Sequence, residues 1–295
     1  RICMLLKSAG KLSKAKLYVL LAEKDIRIRN KHVIERHLML LEKLGMIERL
    51  GSHYVLRAQG QVLTELAKGG ISSGNLSLGE KILYIKALFG SVLRQQLVEL
   101  LAVACANQGA PRKRVIQLYF RTEVAQKLWN PRVIERNLSR LGETGKVPPF
   151  LAHKFGCMEM WLKDVGLLGT ADRTLITGPN TPHVVESLRD GDAAQRSIYQ
   201  LANVILVGRA TRFDSERHFE ELVGLVKLSS KLFALETGMT DIEAMRTFTC
   251  IKLLMEGHVL ESMEFDSMIG ILVAKRILRS VMLGRDGKPA YVTLV

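Results

Sequence analysis

Cysteine is scarce: four residues in 295, dispersed as Cys3, Cys105, Cys157 and Cys250. No two have Cys-x-x-Cys spacing, which excludes the usual zinc ribbons and fingers. Isolated thiols of this kind are expected as buried or half-buried small apolar groups in a reducing compartment. Long apolar runs are also missing. A bilayer span needs roughly 20 consecutive apolar residues, and the stretches 92–106 and 198–207 are shorter or broken by charge. No membrane association is therefore expected. Catalytic signatures are absent as well: there is no phosphate-binding loop, Gly-x-Ser-x-Gly or His-Glu-x-x-His. His258 near Glu256 and Glu261, and the run Glu216, His218, Glu220 and Glu221, read as solvated helix faces. The sequence thus names no catalytic residue, no metal and no cofactor, and an enzyme is not expected.

What is present is a repeat. Asn30-Lys31-His32-Val33-Ile34-Glu35-Arg36-His37-Leu38 returns one hundred positions later as Asn130-Pro131-Arg132-Val133-Ile134-Glu135-Arg136-Asn137-Leu138. Each copy runs on to a leucine and a turn glycine, Leu41 and Gly45 or Leu141 and Gly145. A shared Asn-x-x-Val-Ile-Glu-Arg-x-Leu core implies a helical unit used twice. Charge is the second feature. The net is +14. Residues 1–70 hold 14 Lys and Arg against 6 Asp and Glu, residues 71–190 hold 16 against 10, and residues 191–295 hold 13 of each. The whole excess lies in the part that contains the repeat, which points to a polyanionic partner for the first two-thirds.

In residues 1–70, leucine spacing predicts short helices ending near Gly10 and then starting near Ser13. A third helix begins at Asn30 and carries Val33, Ile34, Leu38, Leu41 and Leu44 at helical spacing up to Gly45. The period then changes. Met46-Ile47 through Leu50, Gly51-Ser52 and His53-Tyr54-Val55-Leu56 read as a hairpin, and 59–68 as a further helix. Val33-x-x-x-x-Leu38-x-x-Leu41-Glu42-x-x-Gly45-Met46-Ile47 followed by Tyr54-x-Leu56-x-x-x-Gly60 resembles the winged helix-turn-helix domains of MarR- and PadR-like transcription regulators. The resemblance implies that helix 30–44 lies in a DNA major groove. Lys31, His32 and Arg36 would then face the bases, with Arg36 suited to a guanine edge. Arg49, Ser52 and His53 would form the wing, and Lys14, Lys16, Arg27 and Arg29 would contact phosphates.

Residues 71–75 read as a linker, and helices are predicted over 78–89 and 92–106. Pro111 opens a helix with the densest basic cluster, Arg112-Lys113-Arg114. A second winged helix is expected within 110–190. Either it carries an insertion after helix 130–141, or its recognition helix is 154–165, followed by a wing at 169–173 and a strand at 174–177. The second arrangement puts the hairpin directly after the helix. Arg132, Arg136, Lys154 and Arg173 are its candidate DNA contacts. Residues 191–295 read as four helices (193–207, 215–235, 241–256 and 263–283) with a terminal strand at 291–295, their methionines taken as core filler.

The expected architecture is therefore mainly α: winged helices at 1–70 and 110–190, a helical connector at 71–109, and a helical dimerisation or partner-binding domain at 191–295. The expected function is duplex-DNA binding by a cytoplasmic, nucleoid-associated homodimer acting as a transcription regulator. Two alternatives stand beside it: a replication initiator similar to the archaeal winged-helix initiators, and a scaffold whose winged helices contact only protein.

Overall fold

Spacing of the apolar residues sets the first elements. Leu6, Leu17, Leu21, Ile34 and Leu38 recur at helical intervals and all are buried. In the computed structural model they lie on α1 (Ile2–Ala9), α2 (Lys14–Lys24) and α3 (Lys31–Lys43). The structure describes residues 1–24, 31–67, 76–172, 174–189, 198–235, 237–283 and 289–295. It is mainly helical with small sheets, as the sequence led us to expect. The chain divides into two compact units: residues 1–87 together with 209–295, and residues 88–208. The divisions drawn from composition, at 70, 110 and 191, fall elsewhere.

In the first unit, α1 is followed by β1 (Lys11–Ser13), α2 and α3, the hairpin β2 (Ile47–Leu50) and β3 (His53–Leu56), and α4 (Ala58–Leu66). The three strands form an antiparallel sheet in the order β1-β3-β2, with Leu12 opposite Tyr54 and Glu48 opposite Val55. Strand β1 has no counterpart in the sequence reading. It is three residues long, and only Leu12 turns inward. Helix α5 (Leu78–Phe89) carries the chain to the end of this segment.

The second unit is built on α6 (Arg94–Ala106), which buries Leu97, Leu100, Leu101 and Ala104. It continues with α7 (Arg112–Phe120), α8 (Glu123–Leu128), α9 (Pro131–Thr144) and α10 (Pro149–Asp164). Then come the antiparallel hairpin β4 (Leu168–Ala171) and β5 (Thr174–Thr177), α11 (Thr181–Arg189), and α12 (Ile198–Ala202), which widens into a π turn at Asn203–Val207. Tyr119 sits in the core, edge-on to Phe120, Trp129 and Phe155.

The remainder of the first unit contains β6 (Thr211–Arg212), α13 (Phe219–Phe233), β7 (Thr240–Asp241), α14 (Ile242–Met255), β8 (His258–Val259), α15 (Ser262–Ala274), β9 (Leu278–Leu283) and β10 (Pro289–Leu294). The helix predicted over 263–283 ends at Ala274, and its last third is a strand. Arg276 takes a left-handed backbone that no helix continues through, and beyond it residues 278–283 pair with β10. Helix α14 packs against α13, α15 and α4.

One corner occurs three times. At Gly45, Gly166 and Arg276 the backbone turns left-handed, with φ of 67°, 78° and 56°. The next residue (Met46, Leu167 or Ile277) donates its N–H to the carbonyl five residues back, at 2.8, 2.8 and 2.9 Å. This is the bond pattern that closes a helix end and re-aims the chain. A hairpin comes next each time. The residue just after it (Arg57, Gly178 or Val295) donates back to that same apolar residue, at 3.0, 3.1 and 3.2 Å. The sheet order β7-β10-β9 repeats the order β1-β3-β2. In the second unit the first strand shrinks to a bridge between Pro111 and Thr174, and α8 and α9 lie between α7 and α10. The order helix, strand or bridge, helix, helix, hairpin therefore appears at 2–56, at 94–177 with α8 and α9 inserted, and at 219–294 with β8 inserted.

Candidate nucleic-acid interface

In the first copy, exposed cations among the described residues lie on β1, α2 and the hairpin, and also at Lys7 of α1 and Lys43 of α3. Lys11, Lys14 and Lys16 are exposed, as is Arg49. Lys14 is tied to Glu35 of α3, which also accepts a 3.2 Å hydrogen bond from Tyr18. The Glu35 hydrogen bond, ahead of smaller contributions, holds the Lys14 ammonium above its ordinary range. Glu35 thus fastens α2 to α3. The hairpin turn is held locally: Arg49 Nε donates to the Gly51 carbonyl at 3.0 Å, and Ser52 Oγ lies 3.0 Å from His53 Nδ1. Lys31, His32 and Arg36 belong to α3, but their side chains lie outside the described residues, as do Arg27, Arg29 and Arg173 entirely.

In the second unit α10 holds the place before the hairpin, yet its solvent side carries little positive charge. Its exposed positions include His153, Met160 and Asp164, and Lys154 is half-buried. The inward side contains Glu159, a buried carboxylate. Arg112 Nε donates to it at 2.8 Å and Lys163 Nζ at 2.7 Å, while the Arg112 guanidinium lies over the Phe155 ring. Burial pushes the Glu159 carboxyl up, but the Arg112 and Lys163 hydrogen bonds and charges outweigh it, and the net shift is downward. Lys163 also reaches Thr170 of β4 at 3.1 Å. Arg112 and Lys163 accordingly hold α7, α10 and the hairpin together. Their neighbours Lys113 and Arg114 are exposed.

The most exposed basic helix of this unit is α9. Asn130 caps it by accepting from the Arg132 N–H at 3.0 Å, Pro131 fills its first turn, and Gly145 ends it with φ 65°. Only Ile134 and Leu141 are buried on it. Arg132, Arg136 and Arg140 are exposed and succeed each other at four-residue steps, which places them in one stripe. The two repeat copies thus bury the equivalent Ile34 and Ile134 but take different places in the chain order: α3 precedes its hairpin directly, whereas α9 is followed by α10.

The third copy differs in chemistry. Helix α15 precedes the hairpin and contains no basic residue, only Glu264 and Asp266 among its charges. Met263 is 60 % exposed, Ile271 42 % and Met282 of β9 51 %. Three of the methionines read as core filler (Met255, Met263 and Met282) are therefore surface groups, while Met245 and Met268 are buried. The four cysteines are free and buried or half-buried, as expected. Burial pushes the Cys3 thiol up to about 11.

A further grouping escaped the sequence reading. His218, Glu221 and His258, assigned to separate solvated faces, have ligand atoms within 4.8 Å of one another. Forty residues separate His218 from His258, and a two-residue strand pairing brings them together. No protein-family model, curated protein or solved structure matches the chain. Among the described residues no single helix is long and apolar enough to cross a membrane.

Proposed function

We propose that the chain is a duplex-DNA-binding protein built from three winged-helix layouts, two that engage DNA and one that engages protein, and that it acts as a transcription regulator. The observation that carries this reading is the division of charge among three copies of one corner. Residues 1–66 hold 13 Lys and Arg against 6 Asp and Glu, and residues 88–189 hold 14 against 8. Residues 219–295 hold 9 against 10. Copies that share a backbone plan but differ in charge are suited to different partners.

In the second unit we assign the DNA contact to α9 rather than α10. Its arginine stripe at 132, 136 and 140 sits on a helix whose opposite side alone is buried, so phosphates can reach all three guanidiniums. In the first unit the contact falls to α3 with Arg36, and to Lys11, Lys16 and Arg49 beside it. In the third copy Met263, Ser267 and Ile271 form a stripe at four-residue spacing on α15, an uncharged face suited to a second copy of this chain. Fluorescence anisotropy on a duplex of mixed sequence tests this reading. Replacing Arg132, Arg136 and Arg140 by Gln weakens binding, whereas Met263→Glu with Ile271→Glu leaves DNA affinity per chain in place and shifts the protein toward monomer. Equal affinity in wild type and the triple variant removes α9 from the interface. Genomic occupancy then separates promoters, expected here, from origins.

A further inference from the structure

We infer that His218, Glu221 and His258 form a binding site for one divalent transition-metal ion of the zinc class. His218 is the residue that opens α13, and Glu221 comes after it within the first turn. His258 stands on β8, which runs parallel to β6 with Thr211 opposite His258 and Arg212 opposite Val259. The backbone fixes that pairing: Thr211 donates to the Gly257 carbonyl at 2.9 Å and Phe213 to the Val259 carbonyl at 2.8 Å. The short ladder brings the His258 ring to 4.0 Å from the His218 ring, with Phe213 closing one side at 5.9 Å from His218.

Three features point to a cation. Glu221 Oε2 lies 2.9 Å from His218 Nδ1, so a carboxylate and an imidazole nitrogen already converge. His258 Nδ1 is shielded from solvent and has no hydrogen-bond partner among the described residues, which is unusual for a ring nitrogen in a native structure. Two imidazoles and one carboxylate are a donor set matched to zinc, cobalt or nickel, and three protein ligands leave a further position for water. Bonds of about 2.0–2.1 Å around a tetrahedral ion put ligand atoms roughly 3.4 Å apart. The widest pair here, at no more than 4.8 Å, closes to that by side-chain rotation. An ion here clamps the start of α13 to the strand between α14 and α15, stiffening the layout assigned to the protein partner.

The test uses the full chain stripped with chelator and titrated with Zn²⁺ against a chromophoric chelator, with Co²⁺ absorption read in parallel. One ion per chain is expected, with intense Co²⁺ visible bands of low coordination number and a thermal midpoint that rises with Zn²⁺. His258→Ala and Glu221→Gln are each expected to lower zinc affinity by more than the about 10–100-fold that loss of an outer-shell partner costs, while Glu216→Gln leaves it unchanged. Circular dichroism checks folding, and if His258→Ala does not fold, Glu221→Gln decides the matter. Failure to take up a stoichiometric ion, or uptake unaltered by Glu221→Gln, overturns the site.

Discussion

Exchanging residues at the recurring corner tests whether its three occurrences are physically equivalent. A Cβ built on Gly166 would meet nothing within 4 Å, so Gly166→Ala changes only backbone energetics. The left-handed conformation costs a non-glycine residue roughly 1–2 kcal/mol. Restricting the unfolded chain returns about 0.4–1 kcal/mol. The balance is a destabilisation of about 1 kcal/mol, from the difference of those two terms. At the third corner the same terms act in reverse. Arg276 is exposed and already holds φ 56°. Arg276→Gly is therefore expected to stabilise by about 1 kcal/mol, and Arg276→Asn to move the same way by less. Urea unfolding gives both values, and thermal midpoints shift by about 2–4 °C per kcal/mol for units of this size. Opposite signs at the two positions are required. If Arg276→Gly destabilises, or Gly166→Ala is neutral, the corners are not held in the same way and the threefold layout loses its footing.

Three further outcomes rest on the packing and charge. Glu159→Gln removes a buried carboxylate bonded to two cations and is expected to cost about 1.5–3 kcal/mol at neutral pH, the range for hydrogen bonds to charged groups. Because Arg112 and Lys163 hold that carboxyl below its ordinary 4.5 in the folded protein, its contribution is present above about pH 4.5 and lost as pH falls; the variant's stability-versus-pH curve should be flatter on the acid side, and parallel curves would refute the assignment. Gly60→Ala places a Cβ 2.1 Å from the Met46 carbonyl oxygen, so α4 must shift away from the corner, and hydrogen exchange at Met46 and Arg57 reports it. Arg36→Ala should weaken DNA binding and relax preference at one base pair by about 1–3 kcal/mol, whereas an equal loss on every sequence would make Arg36 a phosphate contact.

Local features were the most legible in the sequence. Gly45 and Gly145 as stops and the hairpin around Gly51-Ser52 express chemistry within a few residues, and the helix before the second hairpin is one of the two arrangements its spacing allows. The repeat was misleading for a physical reason. Its nine residues encode an amphipathic helix that buries one Ile in each copy, and nothing in them specifies the next element of the chain. The third copy of the layout left little trace: its first strand is two residues long, its corner holds Arg276 in place of glycine, and Leu278–Leu283 has apolar spacing that suits a helix as well as a strand. Contacts between distant segments were not readable at all. Lys86 meets Glu243 at 2.7 Å across 157 positions, and His218 meets His258 only because β6 and β8 pair.

Duplex affinity measured across a salt series decides whether the chain holds DNA through its phosphates, because release of counterions makes log affinity fall with log salt by about 0.9 per contact. Tight binding is expected near about 50 mM salt, with a steep decline above it and a slope shallower by up to about 2.7 when Arg132, Arg136 and Arg140 are replaced by Gln. Absence of duplex binding at that low salt, or a slope unchanged in the triple variant, would contradict it.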